Sequence, residues 1–326
     1  MMFVGIMNVL FRSPRRLGIL LALTLAATWP GNIRADFAVF RAPSRIMSLF
    51  AFPGETVTFD LATYAGTARS RLAEYEVDSE LPVSLDPESG FVLTAPETVG
   101  IYPVVFQGPT SSAMHRPEPY RVHLVVMRPA SEVIKGFLNG YPVGIFPREQ
   151  AGERWRFEKP RGFVEITEEN SDALLSDHFT LGDMDCKLEA PYPHYAAIKT
   201  SLLVKLEGLC YKLLERGLPG DHIVVMSSFR TPEYNRSIGN PTTFSRHIAG
   251  DAADIFVDRD GDERMDDLNG DGRINRRDSR FLLAIVNAMD HSTEYGPLVG
   301  GASAYRANDD HGPFVHVDTR GYPARW

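Results

Sequence analysis

"SRHIAGDAADIFVD", Ser245 to Asp258, sets one histidine and three aspartates among alanine, glycine, isoleucine and valine. A run this apolar belongs in a core, yet ionisable side chains are costly to bury without partners. Gly250 and the alanines around it permit a sharp turn into a strand, "AADIFVD". Such a turn aims the His247 imidazole and the Asp254 carboxylate at one point. Zinc accepts both donor types at about 2.0–2.2 Å. A third donor must come from elsewhere, and His316 in a second apolar strand, "GPFVHVD", supplies it. Three protein ligands with an open fourth position describe a catalytic zinc site rather than a structural one. Taken singly, the same residues also read as hydrogen-bonded core histidines beside a turn-capping aspartate.

The wider context favours the metal. Ser245 to Asp254 fits S-x-H-x-x-G-x-A-x-D at every fixed position, and so resembles the D-alanyl-D-alanine carboxypeptidase and murein endopeptidase family of zinc peptidases. "DHFTLGDMDCK" is similar to the family's entry segment. "SSFRTPEYN" is similar to its S-G-Y-R-T-P-x-Y-N stretch, with Ser228 where glycine is usual. "VGGASAYRANDDHGPFVHVDTRGYPARW" resembles the C-terminal portion of the murein endopeptidase branch. The resemblance spans about Asp177 to Trp326. It implies His247, Asp254 and His316 as zinc ligands, and Arg230 as the arginine facing a substrate carboxylate or the oxyanion. A guanidinium fork suits either role through two parallel hydrogen bonds.

One departure stands out. Many members carry E-x-x-H, whose glutamate is the general base, but Pro313 occupies that position here. On a strand, Asp318 shares a face with His316, so it can serve as the base or as an orienter of the imidazole. His311 and Asp310, just upstream, are the alternatives.

Eight carboxylates crowd the interval from Asp258 to Asp278. Asp267, Asn269, Asp271, Gly272, Asn275 and Asp278 fall at positions 1, 3, 5, 6, 9 and 12 of an EF-hand-type loop, and a helix follows. Aspartate at the twelfth position resembles dockerin-type calcium loops. Asp258, Asp260 and Asp262 begin an overlapping, less complete loop. Calcium held here braces the frame between two zinc-ligand strands.

The rest of the chain supplies context. Of its 326 residues 44% are hydrophobic and 23% charged, and the net charge of -8 argues against a nucleic-acid partner. Arg12, Arg15 and Arg16 precede the apolar run Leu17–Ala27, then "WPG". That run is short for a membrane span and reads as an export signal, residues 1–35, the other reading being an uncleaved anchor. After signal cleavage no stable membrane span is expected. Residues 37–129 alternate short strands with turns and predict an immunoglobulin-like β-sandwich. "ETVGIYPVVFQ" resembles the late strands of bacterial immunoglobulin-like or cadherin-like repeats. Residues 130–167 read as a connector rich in glycine, proline and aromatics. From 168 to 326, helices mix with strands without strict alternation, predicting an α+β domain: a small antiparallel sheet with flanking helices and the calcium loop, 258–278, inserted. Leu202, Leu203, Leu206, Leu209, Cys210, Leu213 and Leu214 mark one buried helix face, stopped by Gly217 and Pro219. Cys186 and Cys210 are the only cysteines and are either paired or two buried thiols.

Together these features predict an exported zinc metallopeptidase, in the periplasm or cell envelope, acting on peptidoglycan stem peptides or cross-links. The alternative is a catalytically silent, calcium-stabilised wall-binding protein on the same fold. Pro313 supports that alternative, while intact Arg230, His247, Asp254 and His316 weigh against it.

Overall fold

Eight strands build the N-terminal part: β1 (Ile33–Arg34), β2 (Ile46–Ala51), β3 (Thr56–Phe59), β4 (Glu76–Ser79), β5 (Val83–Asp86), β6 (Gly90–Thr94), β7 (Gly100–Gln107) and β8 (Tyr120–Val126). They form two four-stranded sheets, ordered β1-β3-β6-β5 and β2-β8-β7-β4. Most pairings are antiparallel, but β2 runs parallel to β8, with Leu49 opposite Leu124. Phe59, Phe91 and Phe106 are buried together, Phe91 and Phe106 with ring centroids 4.7 Å apart. A short helix, α1 (Leu61–Ala65), is capped by Asp60, which accepts from Thr63 N, and ends on left-handed Gly66. The computed structural model describes residues 33–34, 44–110, 117–148, 150–151, 156–240 and 242–326. The export signal expected over residues 1–35 therefore lies outside the described residues, apart from two positions of β1. No helix among the described residues is long and apolar enough to cross a membrane.

Strand β9 (Arg128–Pro129) stands just before the connector, which contributes the pair β10 (Gln150–Ala151) and β11 (Arg156–Phe157), and β12 (Gly162–Ile166). Strand β12 pairs with β9 on one side and with β13 (His194–Ala196) on the other. The segment before β13 docks on the first part of the chain. Asp177 accepts hydrogen bonds from Arg45 N and Ile46 N, and Ser48 Oγ donates to Leu175 O at 2.7 Å. One hydrophobic cluster runs through both parts, within the compact unit Asn32–Trp326.

The mixed α+β portion holds helices α2 (Thr200–Leu214), α3 (Pro232–Ser237) and α4 (Arg276–Asp290). Its five-stranded sheet is ordered β14-β15-β17-β16-β18: β14 (Ile223–Ser227), β15 (Ala252–Val257), β16 (Gly301–Tyr305), β17 (Phe314–Asp318) and β18 (Ala324–Arg325). The leucine face expected on α2 is buried except for Leu214, which is 46% exposed because the helix ends there. The same helix also buries Lys205 and Glu207. Lys205 Nζ donates to Asp290 Oδ1 (2.9 Å) and to the carbonyls of Leu298 and Asp318, while Glu207 accepts from the His178 backbone and ring. Helix α4 starts at a capping box between Asn275 and Asp278. Cys186 and Cys210 are free, buried thiols.

Candidate metal centre

The sheet register assembles the site. Strands β15 and β17 pair so that Asp254 stands directly opposite His316. Side chains opposite each other in an antiparallel pair share a face about 5 Å apart. His247 arrives from the short 3-10 turn Arg246–Ala249, which ends on Gly250 at φ 73°. A β-carbon at Gly250 would lie 2.4 Å from the Ala197 carbonyl oxygen, so glycine is required for both its dihedral and its lack of a side chain. Arg246 helps fix this turn by pairing with Asp251, which also accepts from Lys199.

Three donor atoms converge. His247 Nε2 lies 3.1 Å from His316 Nδ1 and 3.3 Å from Asp254 Oδ1, and His316 Nδ1 lies 2.9 Å from Asp254 Oδ1. All three residues are buried. The far side of each imidazole is held by an acceptor. His247 Nδ1 donates to the Ser228 carbonyl at 2.7 Å, and His316 Nε2 faces Asp318 Oδ2 at 3.2 Å. These bonds fix the tautomers, so in the neutral rings both inward nitrogens present lone pairs toward the carboxylate. Three lone-pair donors pointed at one another call for a cation between them. Their separations approach the roughly 3.3–3.5 Å edges of a tetrahedral zinc site with ligands near 2.0–2.2 Å. The donor set therefore fits zinc.

The same contacts set the ionisation of the three groups. Burial would raise the Asp254 carboxyl, but His247 and then His316 outweigh it and hold the group well below the usual carboxylate range. Burial lowers His247 despite the pull of Asp254. His316 moves upward, because its bonds to Asp254 and Asp318 overcome desolvation.

Arg230 sits on the other oxygen of Asp254. Its Nη2 pairs with Asp254 Oδ2 and its Nε donates to Ser227 Oγ at 2.8 Å. The guanidinium is thereby held in the wall of a cleft of about 1010 Å3 that is also lined by His247, Asp254, His316 and His311. Asp318 is absent from that lining. It is fully buried behind His316, accepts from Gly301 N at 2.7 Å, and pairs with Arg320. Burial alone would raise its carboxyl, but His316 and Arg320 pull it far below the usual range. Of the two roles the sequence allows Asp318, this placement removes that of base and leaves that of orienter. A carboxylate sealed from the cleft and bonded on both oxygens cannot take a proton from an attacking water. His311 and Asp310 both line the cleft, His311 edge-on to Phe314 with ring centroids 4.8 Å apart.

Sequence reading missed several contributors. The Ser228 carbonyl holds His247, Gly301 N and Arg320 hold Asp318 behind His316, and Arg320 also lines the cleft. A β-carbon at Gly301 would lie 2.4 Å from Asp318 Oδ2, so this strand must be bare there. Only "HVDTRG" offered a signal, an arginine two residues after the aspartate.

The acidic interval divides in two. Asp258, Asp260 and Asp262 bring carboxylate oxygens within 4.8 Å of one another, as do the ligand atoms of His178, Glu207 and Cys210 elsewhere. Among the described residues the carboxylates of Asp267, Asp271 and Asp278 form no such group of three. Asp267 accepts from Gly270 N, Asp271 N and Gly272 N. Asp278 Oδ1 accepts from Asn269 Nδ2, and its Oδ2 accepts from Asn275 N at the start of α4.

No curated protein and no solved structure matches the chain. Residues 178–269 do match a family model, that of Peptidase M15. Arg230, His247 and Asp254 lie inside the matched stretch and His316 beyond it, so the part of the chain that carries two of the three converging donors is similar to a family of zinc-dependent peptidases.

Proposed function

We propose that the chain is an exported zinc metallopeptidase that hydrolyses peptide bonds in peptidoglycan stem peptides or cross-links. The observation that carries the reading is the triangle of His247, Asp254 and His316 donors in the wall of a large cleft, with Arg230 beside it. These three residues would hold the metal, which when bound supplies Lewis acidity toward a scissile carbonyl and its attacking water. Arg230, steadied by Asp254 and Ser227, donates to a substrate carboxylate or to the developing oxyanion. His311, on the cleft-lining turn before β17, exchanges the proton between the attacking water and the leaving amine. Asp318 and the Ser228 carbonyl keep the two ligand rings in one tautomer and orientation.

The peptidoglycan substrate and the cell-envelope location are supported by the motif resemblance and by the arginine-then-apolar N-terminus. In the same reading the two N-terminal sheets form an immunoglobulin-like module that positions the enzyme near the wall. The Asp258–Asp262 loop holds a structural calcium ion, and the Asp267–Asp278 loop holds another. Digestion of purified sacculi tests the activity. Muropeptides should be released by the zinc-loaded protein, lost with chelator and restored by zinc. A zinc-loaded protein that binds sacculi and releases nothing would instead establish the silent wall-binding alternative, which Pro313 favours.

A further inference from the structure

The strand order of the five-stranded sheet sets what flanks the converging donors. Arg230 comes just after β14 at one edge, Asp254 and His316 stand on β15 and β17, and Trp326 follows β18 at the other edge. Both Arg230 and Trp326 line the 1010 Å3 cleft. The cleft therefore has a cationic wall on the Asp254 side and an aromatic wall on the His316 side.

That aromatic wall is built and anchored. Tyr305 and Phe314, paired across β16 and β17, stack with ring centroids 4.5 Å apart and planes 4° from parallel. The Trp326 indole joins them: its Nε1 donates to Tyr305 Oη at 2.6 Å, and its ring centroid lies 5.3 Å from that of His316. Its backbone is held as well. Ser303 Oγ donates to the Trp326 carbonyl, and Arg325 beside it is fixed by Asn287, Asp290 and the Gly300 carbonyl. Trp326 is nevertheless 56% exposed, the most exposed large aromatic side chain among the described residues.

A rigid indole standing in water beside the converging donors is a ready binding face. Covering it removes apolar surface from solvent without ordering a flexible side chain. Its N–H is already donated within the protein, so carbon surface is what remains for a ligand. A cationic group is disfavoured there, because the Arg320 guanidinium already lies 5.5 Å from the same ring. An uncharged, CH-rich group fits, whether an aliphatic side chain or the face of a sugar ring.

We propose that Trp326 is a specificity-determining residue that packs against an uncharged, CH-rich group of the substrate next to the bond being cut. This rests on the peptidase reading and deepens it: the apolar part of the substrate lies on the β18 flank of the candidate metal centre, and its charge lies on the Arg230 flank.

Two probes distinguish the sources of that group: muropeptides freed from sacculi by a muramidase, and the same peptides stripped of sugar. Each is mixed rapidly with the zinc-loaded full chain. Tryptophan emission is recorded before products form, and product release is then followed. Emission should change in the native protein and not in Trp326→Phe, which keeps Trp29 and Trp155. Trp326→Ala should raise KM by roughly fivefold to tenfold, as expected for loss of one aromatic packing contact, with kcat little changed. Trp326→Phe should recover most of that loss, and both variants should keep native zinc content. A KM penalty on both probes assigns the contact to a side chain, and one confined to muropeptides assigns it to a sugar ring. A fall in zinc content and kcat together overturns the proposal, since Trp326 would then only support His316. Emission change without product from either probe would sustain the contact and defeat the peptidase reading. Product formed by Trp326→Ala at native KM would do the reverse, and neither emission change nor product would defeat both.

Discussion

Asp254 and His316 face each other across the β15–β17 ladder, with His316 Nδ1 2.9 Å from Asp254 Oδ1, although 62 residues separate them in the chain. The candidate metal centre is thus a property of strand register. A slip of one residue in β17 would turn His316 to the opposite face of the sheet.

The first prediction concerns that centre. Protein purified without a histidine tag should carry about one equivalent of zinc. His247→Ala and His316→Ala should each lower the content sharply, since two remaining donors make a poor site. Full zinc content by elemental analysis in either variant would place the metal elsewhere.

Asp318→Asn probes the support behind His316. Loss of such an orienting partner typically weakens metal affinity by about 10–100-fold. Zinc should be released at lower chelator concentration, and activity should recover when zinc is supplied in excess. If activity instead stayed low with the site fully loaded, Asp318 would have a role in the reaction that its burial does not suggest.

Calcium is tested by thermal melting of ion-stripped protein. A ligand that binds only the native state stabilises it by about 2.7 kcal/mol at a hundredfold excess over Kd. The melting temperature should rise with added calcium. Asp260→Asn combined with Asp262→Asn should remove the contribution of the first loop, and Asp271→Ala that of the second. A melt unmoved by calcium in the native sequence would dismiss both sites.

His178 gives a pH signature of its own. Its hydrogen bond to buried Glu207, at 2.7 Å, raises the imidazole above its ordinary value in spite of desolvation. The folded state therefore holds this proton more tightly than the unfolded chain. The resulting stabilisation is complete below pH of about 6.5 and is lost as pH rises through the elevated folded value. Melting temperature measured from pH 5 to 9 should fall more steeply across that window in the native sequence than in His178→Gln. Parallel profiles would show that the pair contributes nothing.

The sequence was most legible where chemistry demands fixed residue types at fixed spacing. His247, Gly250 and Asp254 belong to one local turn and strand, and His316 sits in a strand whose apolar pattern is plain. Supporting contacts were not legible because they arise between distant segments. The Ser228 carbonyl meets His247 as backbone, which carries no side-chain signature. Gly301 matters only because Asp318 is its neighbour across the sheet. Lys205 and Glu207 are buried on α2 against partners 85 and 29 residues away, which spacing within the helix does not reveal. The pairing of β2 with β8 is parallel and long-range, and alternation within a strand does not reveal a partner's direction.

Lys205 ties separate parts of the chain to one atom: its ammonium on α2 meets the Asp290 carboxylate on α4, the Leu298 carbonyl before β16 and the Asp318 carbonyl at the end of β17. Arg325 on β18 closes the same carboxylate from the other side. Parting α2 from α4 would strand a charge in the interior, a penalty of several kcal/mol, and parting either carbonyl would leave an ammonium hydrogen without its acceptor. The last third of the chain should consequently open together with α2 as a single cooperative unit. Amides of β17, which carries His316, should exchange with solvent only when those of α2 do.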